Sequence, residues 1–559
     1  MLRSDHHAAH GLGEAAEPAG SVTRVATAVL ALFVGSLLIR LIDLGSPPEF
    51  DELYTVLAAH NWSIDGEPRI GEGLYDRARL YTMIVAWFFN GLGESIVVAR
   101  LPSVIAGSLL VVAVFLWTRS VAGNLAAWIA ALFVALAPAT IQVSQFARFY
   151  ALQGLVFWAA AIGIYYLWDR RPDLRLAIPT AIACGLGFLF ALHLQVLTAI
   201  GLSGLLLWLA FAIGLPALLP LRARPLILWG AVASLLLLGA AALAGAWFSG
   251  LLESLIEQYR FTPLHALPVR NQVWFYHLAL IERYPSLWPF FPIAALLAIA
   301  MRPRPALFCL GVFVPGFVLL SFGGMKQFKY LAFLIPFLFV IWAISLAGVF
   351  AALREVVVSI ADRALLAVAP DLPRRPARSV LIAGCIAFLV LANGAPARTV
   401  LLPFGIQLNA EAAPIDWEAA GEAMQPLVEN ASIVLTNEEL PVLYYLGRFD
   451  VTVSGSRLSE LADTREFSRD DRTGRPVVST AESVARIMAC FPDGLLLSHQ
   501  SKWRNPAQLD NDVADLIERH AEPVDVPRGS RIVAFAWGQT DIDVPQEACA
   551  ALQGLRAPG

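Results

Sequence analysis

The chain has 559 residues, 58% of them hydrophobic and only 15% charged, with a mean hydropathy of +0.64. Soluble domains carry closer to a quarter charged residues, which excludes an ordinary soluble protein and requires lipid to solvate most of this one. A net charge of −4 offers no basic surface for nucleic acid.

In chain order, residues 1–24 form a polar tail whose His6, His7 and His10 read as part of a disordered segment rather than a metal site. No short apolar core with a small-residue cleavage site precedes the run 25–45, so this run is an uncleaved first span. A bilayer core needs about 20 apolar residues per helix. Runs at 25–45, 97–118, 151–168, 226–248, 330–352 and 379–395 meet that length. Short loops rich in Arg stay in the cytoplasm. Arg3 and Arg24, Arg119, Arg170 and Arg171 with Arg175, Arg222 and Arg224, Arg302 and Arg304, and the cluster from Arg354 to Arg378 are assigned there. Threading helices between them predicts about eleven spans, with the N-terminus inside and the C-terminus outside. Residues 79–93 are apolar but too short to span easily, and are read as a helix in the outer interface. The outer segments are then 46–96, 140–150, the loop near 193, 249–286, 322–330 and everything after about 396.

The last part differs. Residues 399–559 hold no spanning run, and "SIVLTN", "FDVTVSG", "GLLLSHQ" and "RIVAFAW" read as short strands between helical stretches such as "DWEAAGEAMQPLVEN" and "DNDVADLIERH". The predicted fold is therefore a polytopic α-helical membrane domain, 25–398, followed by an extracytoplasmic α/β domain. That domain lacks a Gly-rich phosphate loop and reads as structural, or as a lid over a membrane site. Cys184, Cys309 and Cys385 fall in spans; Cys490 and Cys549 lie in the outer domain and are free to pair in an oxidising compartment, with two buried thiols as the other reading.

Charged groups near a membrane are costly, so each needs a partner or a task. Asp51 and Glu52 follow Pro47-Pro48 at the start of a helix-like stretch and either complement its N-terminus or perform chemistry. Arg148 and Tyr150 sit at an outer helix end, where Arg runs against the chain's own charge bias; an interfacial anchor is the alternative. Only three of the 40 basic residues are lysine, and two of them, Lys326 and Lys329, fall together in "GGMKQFKY" at helical spacing, which favours an anion site. The loop 249–286 adds Arg260 and His265 among other ionisable groups, and His193 is either a hydrogen-bonded structural residue or a catalytic one.

Taken together, "FDELYTV", "GLGESIVVARLPSVIAGSLLVV", "LAPATIQVSQFARFYALQG" and "FKYLAFLIPF" resemble the GT-C glycosyltransferases over residues 25–350. The branch they resemble includes the dolichyl-phosphate-mannose protein mannosyltransferases and the lipid A aminoarabinose and galacturonic acid transferases. The resemblance implies a GT-C membrane domain in the bacterial inner membrane, acting on the extracytoplasmic side. It implies a polyprenyl-phosphate sugar donor and a lipid, glycan or protein acceptor, with a divalent cation left open and no metal ligands assigned. It puts catalysis on Asp51 and Glu52, and donor or acceptor contacts on Arg148, Tyr150, Lys326, Lys329, Tyr330, Arg260, His265 and Arg79. "YDRARLYT" stands where many members carry His-Pro-Pro, so Arg77 and Arg79 have a task of their own. A transporter or flippase for a lipid-linked envelope precursor is the rival reading; it predicts broken helices and charges near the bilayer midplane. Here the charges gather at one face.

Overall fold

The computed structural model describes residues 19–260, 271–368, 391–401 and 416–556, with short pieces at 383–384 and 387–388. His6, His7, His10 and His265 lie outside these. The chain opens with α1 (Ala19–Leu41), α2 (Phe50–Asp65), the hairpin strands β1 (Arg69–Ile70) and β2 (Gly73–Leu74), and α3 (Arg79–Leu92). Then come α4 (Ile96–Ala122), α5 (Asn124–Leu136), α6 (Pro138–Ser144), α7 (Tyr150–Arg170), α8 (Leu174–Leu194) and α9 (Thr198–Leu209).

Among the described residues eight helices are long and apolar enough to cross a membrane, or nine if the bent pair α5–α6 is one span. The expected count of about eleven is not reached, for two reasons. The run 379–395 falls largely outside the described residues. The apolar helix Phe291–Met301 has 11 residues, about 17 Å of helix against a core of about 30 Å. The span expected from 330 starts at Ile335, because Phe328–Tyr330 form a 3-10 turn. The helix expected at 79–93 is present as α3, 14 residues long.

Pro138 lacks an amide hydrogen, so α5 ends at Leu136 and α6 leaves at 57°. The freed carbonyl of Val134 accepts from the Thr140 hydroxyl and from Arg40, a fully buried arginine of α1. Arg40 also donates to Ser36 and Ser144, so its charge is solvated by protein dipoles at the end of α1. Gln145 then donates to the carbonyls of Arg40 and Ile42. The segment after α6 is thus tied to the end of α1, which fixes where Arg148 emerges.

The C-terminal domain has a seven-stranded sheet. Its strands are β3 (Val434–Thr436), β4 (Val451–Val453), β5 (Ser468–Arg469), β6 (Pro476–Val478), β7 (Gly494–His499), β8 (Glu522–Pro523) and β9 (Ile532–Trp537), in the spatial order β5-β6-β4-β3-β7-β9-β8. The inner strands β6, β4, β3 and β7 are parallel, with Val434 beside Leu495, and the edges are antiparallel. All-buried strands such as "VLT" and "VTV" fit a parallel sheet covered on both faces. Asp416 caps the helix Trp417–Asn430 through the Ala419 amide. A disulfide joins Cys490 to Cys549, whose Cα atoms are 5.1 Å apart.

This domain grips the segment between α2 and α3. The Glu72 amide donates to the Thr473 carbonyl at 3.0 Å, and the Glu72 carboxylate pairs with Arg469 and Arg475. Gly71 and Gly474 adopt left-handed backbone at this contact, and a Cβ on Gly73 would overlap the Arg472 carbonyl. Beside it, Leu440, Leu443 and Tyr444 pack on Leu53, Tyr54, Leu57 and Ala58 of α2.

Candidate active site

Pro47 and Pro48 hold the chain extended before α2, and the Glu49 amide donates to Glu52 Oε2 at 2.9 Å, closing the first turn. Helix capping is therefore carried by Glu49 and Glu52. Glu52 is fully buried; it accepts from Arg100 Nε at 2.8 Å, from Arg100 Nη2 at 2.6 Å and from the Ala147 amide at 2.7 Å. Arg100 also donates to the Leu44 and Ser46 carbonyls. Glu52, expected to be catalytic, sits where its hydrogen bonds tie α4, the end of α1 and the loop carrying Arg148 together. All its lone pairs toward those elements are engaged.

Asp51 points elsewhere. Its Oδ2 accepts from Lys329 Nζ at 2.7 Å, across 278 residues of sequence, and its side chain remains 42% exposed. Burial pushes its carboxyl upward, but Lys329, then Arg148 and Arg77, outweigh that and hold it well below the usual carboxylate range. The Lys329 ammonium lies 5.3 Å from the Phe146 ring and 5.6 Å from the Tyr150 ring. Burial works against its charge, yet Tyr150 and Asp51 raise its pKa above the ordinary lysine value.

Arg148 is 2% exposed, donates from Nη1 to the Tyr75 hydroxyl at 2.7 Å, and has no partner for Nε among the described residues. Tyr75 stacks on Tyr54, with centroids 5.5 Å apart and planes 8° from parallel. The Tyr54 hydroxyl in turn accepts from Arg472 of the C-terminal domain at 2.7 Å. Arg148 and Arg472 lie 5.9 and 5.3 Å from the Tyr54 ring centroid. Arg77 lies over Phe149 at 5.7 Å. A carboxylate in the first turn of α2 is thus ringed by Lys329, Arg148 and Arg77, with the C-terminal domain reaching in through Arg472.

Of the other expected site residues, Tyr150 stays beside Lys329 while several fall elsewhere. Lys326 and Lys329 do not form one cationic pair: helical spacing presumes a helix, but the chain from Gly323 to Gln327 is not helical. Lys326 is buried, donates to its own loop's Gly323 carbonyl at 2.6 Å, and has its pKa lowered by burial. Ala78 takes left-handed backbone, and Arg79, unlike Arg77, lies over Trp62 at 5.3 Å. Arg260 is exposed at the end of helix Leu251–Arg260. Tyr150 and Tyr330 are buried with ring centroids 6.2 Å apart, and the Tyr330 hydroxyl donates to Met325 Sδ. His193 accepts from the Leu80 amide at 3.2 Å and so closes the first turn of α3. No group of three His, Cys, Asp or Glu side chains forms a metal site among the described residues.

Arg100, Tyr54, Tyr75 and Arg472 escaped the sequence reading. Arg100 carried a usable signal, being an arginine near the end of a span on the side assigned few arginines, the same anomaly that singled out Arg148. Nothing in the sequence around Arg472 ties it to Tyr54.

No family model matches the sequence, and no curated protein matches it. Solved structures do match in fold. The structure of ArnT from Cupriavidus metallidurans bound to undecaprenyl phosphate superposes with a TM-score of 0.57 at 15% identity, covering 95% of this chain and 100% of that one. The same protein in its apo state gives 0.56 at 17% identity, over 94% and 99% of the two chains. The oligosaccharyltransferase AglB from Archaeoglobus fulgidus, in complex with an inhibitory peptide and a dolichol-phosphate, gives 0.56 at 14% identity, over 93% of this chain and 75% of that one. With its helix bundle and C-terminal sheet domain, the chain shares the GT-C fold of these solved structures.

Proposed function

We propose that the chain is a membrane glycosyltransferase, moving a sugar from a polyprenyl-phosphate donor to an extracytoplasmic glycolipid, polysaccharide or protein, with Asp51 as general base. The observation that carries the reading is the Asp51–Lys329 pair, set beside Arg148 and Arg77 where α2 leaves the membrane domain. A polyprenyl tail stays in the bilayer, so its phosphate reacts at this level. The solved structures of ArnT with undecaprenyl phosphate and of AglB with a dolichol-phosphate support a lipid-phosphate donor.

In the reaction the acceptor O–H gives its proton to Asp51 while its oxygen bonds to the sugar's anomeric carbon. The bond from that carbon to the phosphate oxygen breaks, and the electron pair leaves on the lipid phosphate. Cations beside that oxygen stabilise the developing charge. A carboxylate held so acidic by Lys329 is a poor base. The donor phosphate competes for the same ammonium, and as Lys329 turns toward it Asp51 loses the strongest influence depressing its pKa. Donor binding therefore primes the base.

The broken pair α5–α6 and buried Arg40 are what a transporter would also show, but both lie at the Asp51 end of the bundle and Arg40 is satisfied by protein atoms. Asp51→Asn in detergent-purified protein should lower sugar transfer by about 10²–10⁴-fold; near-wild-type transfer sinks the proposal. The side is tested separately. The arginine distribution puts residue 171 in the cytoplasm, and labelling of a cysteine there from outside the cell would reverse the orientation.

A further inference from the structure

The end of the bundle away from Asp51 carries a second feature. A cavity of about 730 Å³ opens between the ends of α4 and α7 and the turn joining helices Phe291–Met301 and Pro303–Phe322. Its distance from the first site follows from α4. Near its start, Arg100 holds Glu52; its 27 residues then run about 40 Å, the full thickness of a bilayer with headgroups. The cavity therefore lies at the opposite headgroup layer and is separate from the Asp51 site.

Its lining is sorted by polarity. Trp117, Ile162, Tyr165 and Met301 supply an apolar and aromatic wall, and Arg170, Arg302 and Arg304 stand around it with a single acid, Asp169. Asp169 engages Arg304 at 3.0 Å and Arg170 at 4.0 Å. Arg302 has no carboxylate partner among the described residues, so the lining keeps a positive surplus. A second observation is independent of charge. Tyr165, only 3% exposed as a residue, lines the cavity and brings a phenol hydroxyl to it beside the arginines. A phenol hydroxyl can donate to an anion held there.

We propose that this cavity holds the phosphate headgroup of an anionic glycerophospholipid. Arg302 and Arg304 meet the phosphate, the Tyr165 hydroxyl donates to one of its oxygens, and the first acyl carbons lie on Trp117 and Met301. The volume is in the range of small-molecule sites, about 300–1,000 Å³. Arginine's planar fork suits a phosphate diester. A zwitterionic lipid would set its own cation against the arginine surplus, so the site discriminates by headgroup charge. A soluble phosphate shares the anion chemistry but leaves the apolar wall uncovered.

The test is native mass spectrometry of the full chain, delipidated in detergent and titrated with phosphatidylglycerol, phosphatidylcholine or glycerol 3-phosphate. Phosphatidylglycerol should be retained in preference to both others. Its affinity should fall about ten-fold or more in Arg302→Ala/Arg304→Ala, by the loss of two cations facing the headgroup. Tyr165→Phe, which removes one oxygen and no packing, should weaken it more modestly and covers the case in which the double variant misfolds. Sugar transfer in all variants stays near wild type, since none of these residues approaches Asp51. Equal retention of phosphatidylcholine, unchanged phosphatidylglycerol affinity in the folded variants, or glycerol 3-phosphate binding as tightly as the lipid would each overturn the proposal.

Discussion

Asp51 and Glu52 are neighbours in sequence, and the structure forecasts opposite phenotypes for removing their charges. In Glu52→Gln one carboxylate oxygen becomes an NH2 group. Oε1 accepts from Arg100 Nε and the Ala147 amide, and Oε2 from Arg100 Nη2 and the Glu49 amide. Whichever oxygen is replaced, two hydrogen bonds become donor-to-donor contacts, and Arg100 keeps a buried charge with no carboxylate against it; the two side chains are only 4% and 1% exposed. Removing one partner of a buried pair costs about 3–5 kcal/mol. Asp51→Asn breaks a pair whose side chains are 42% and 19% exposed, and such pairs contribute about 0–1 kcal/mol. Thermal unfolding in detergent should therefore show a drop of several degrees for Glu52→Gln and almost none for Asp51→Asn, while transfer assays on folded protein fall far more in Asp51→Asn. A Glu52→Gln protein that melts like wild type yet loses turnover as deeply as Asp51→Asn would refute the assignment of Glu52 as a structural anchor.

Further outcomes follow from the same site. Lys329 holds the Asp51 pKa down, so the acid limb of kcat/KM should move to higher pH in Lys329→Ala; an unmoved limb assigns it to another group. Arg472→Gln should lower kcat severalfold with donor KM unchanged, and Tyr54→Phe/Arg472→Gln should be no worse than either single change if the two act through one contact; additive losses break that link. Glu439, buried beside α2, has its pKa pushed up to about 7 by burial, with Lys502 partly opposing. Its protonated form favours the docked domain: that stability is full below the ordinary carboxylate value and fades as pH rises through about 7. Glu439→Gln should flatten the pH dependence of unfolding between about 4.5 and 7, and an unchanged profile would remove Glu439 from this role.

What the sequence disclosed depended on range. Spans such as 151–168 and 226–248, and strands such as "VLT" and "VTV", are local patterns of apolar residues, and the structure places helices and strands there. The segments that arginine bias groups on one side meet at one end of the bundle: Lys329 to Asp51, Ala147 to Glu52, Leu80 to His193, Tyr276 to Gln327. Partners were not legible. Glu52 and Arg100 are 48 residues apart and Tyr54 and Arg472 are 418 apart, and no periodicity connects such pairs. The lysine pair misled for a related reason. Spacing of three implies a shared face only where the backbone is helical, and Gly323-Gly324 ahead of Lys326 end the helix before the motif begins.

The acidic pair itself shows how far local reasoning reaches. Successive residues on a helix project about 100° apart, so two adjacent acids in the first turn of α2 cannot share a task. That much is readable from "DEL". Which acid faces inward depends on where α4 brings Arg100, and on Pro138 breaking α5 so that Ala147 and Arg148 reach the same level. Once Arg100 and the Ala147 amide claim the inward position, residue 52 is fixed in the interior and residue 51 is turned toward Lys329 and the opening. The desolvation cost of burying Glu52 is offset by four donors, whereas Asp51, half open to solvent, keeps one carboxylate oxygen free of the lysine. A buried carboxylate with both oxygens engaged by protein donors has no face to offer an acceptor hydroxyl, whereas an exposed one held by a single movable ammonium does.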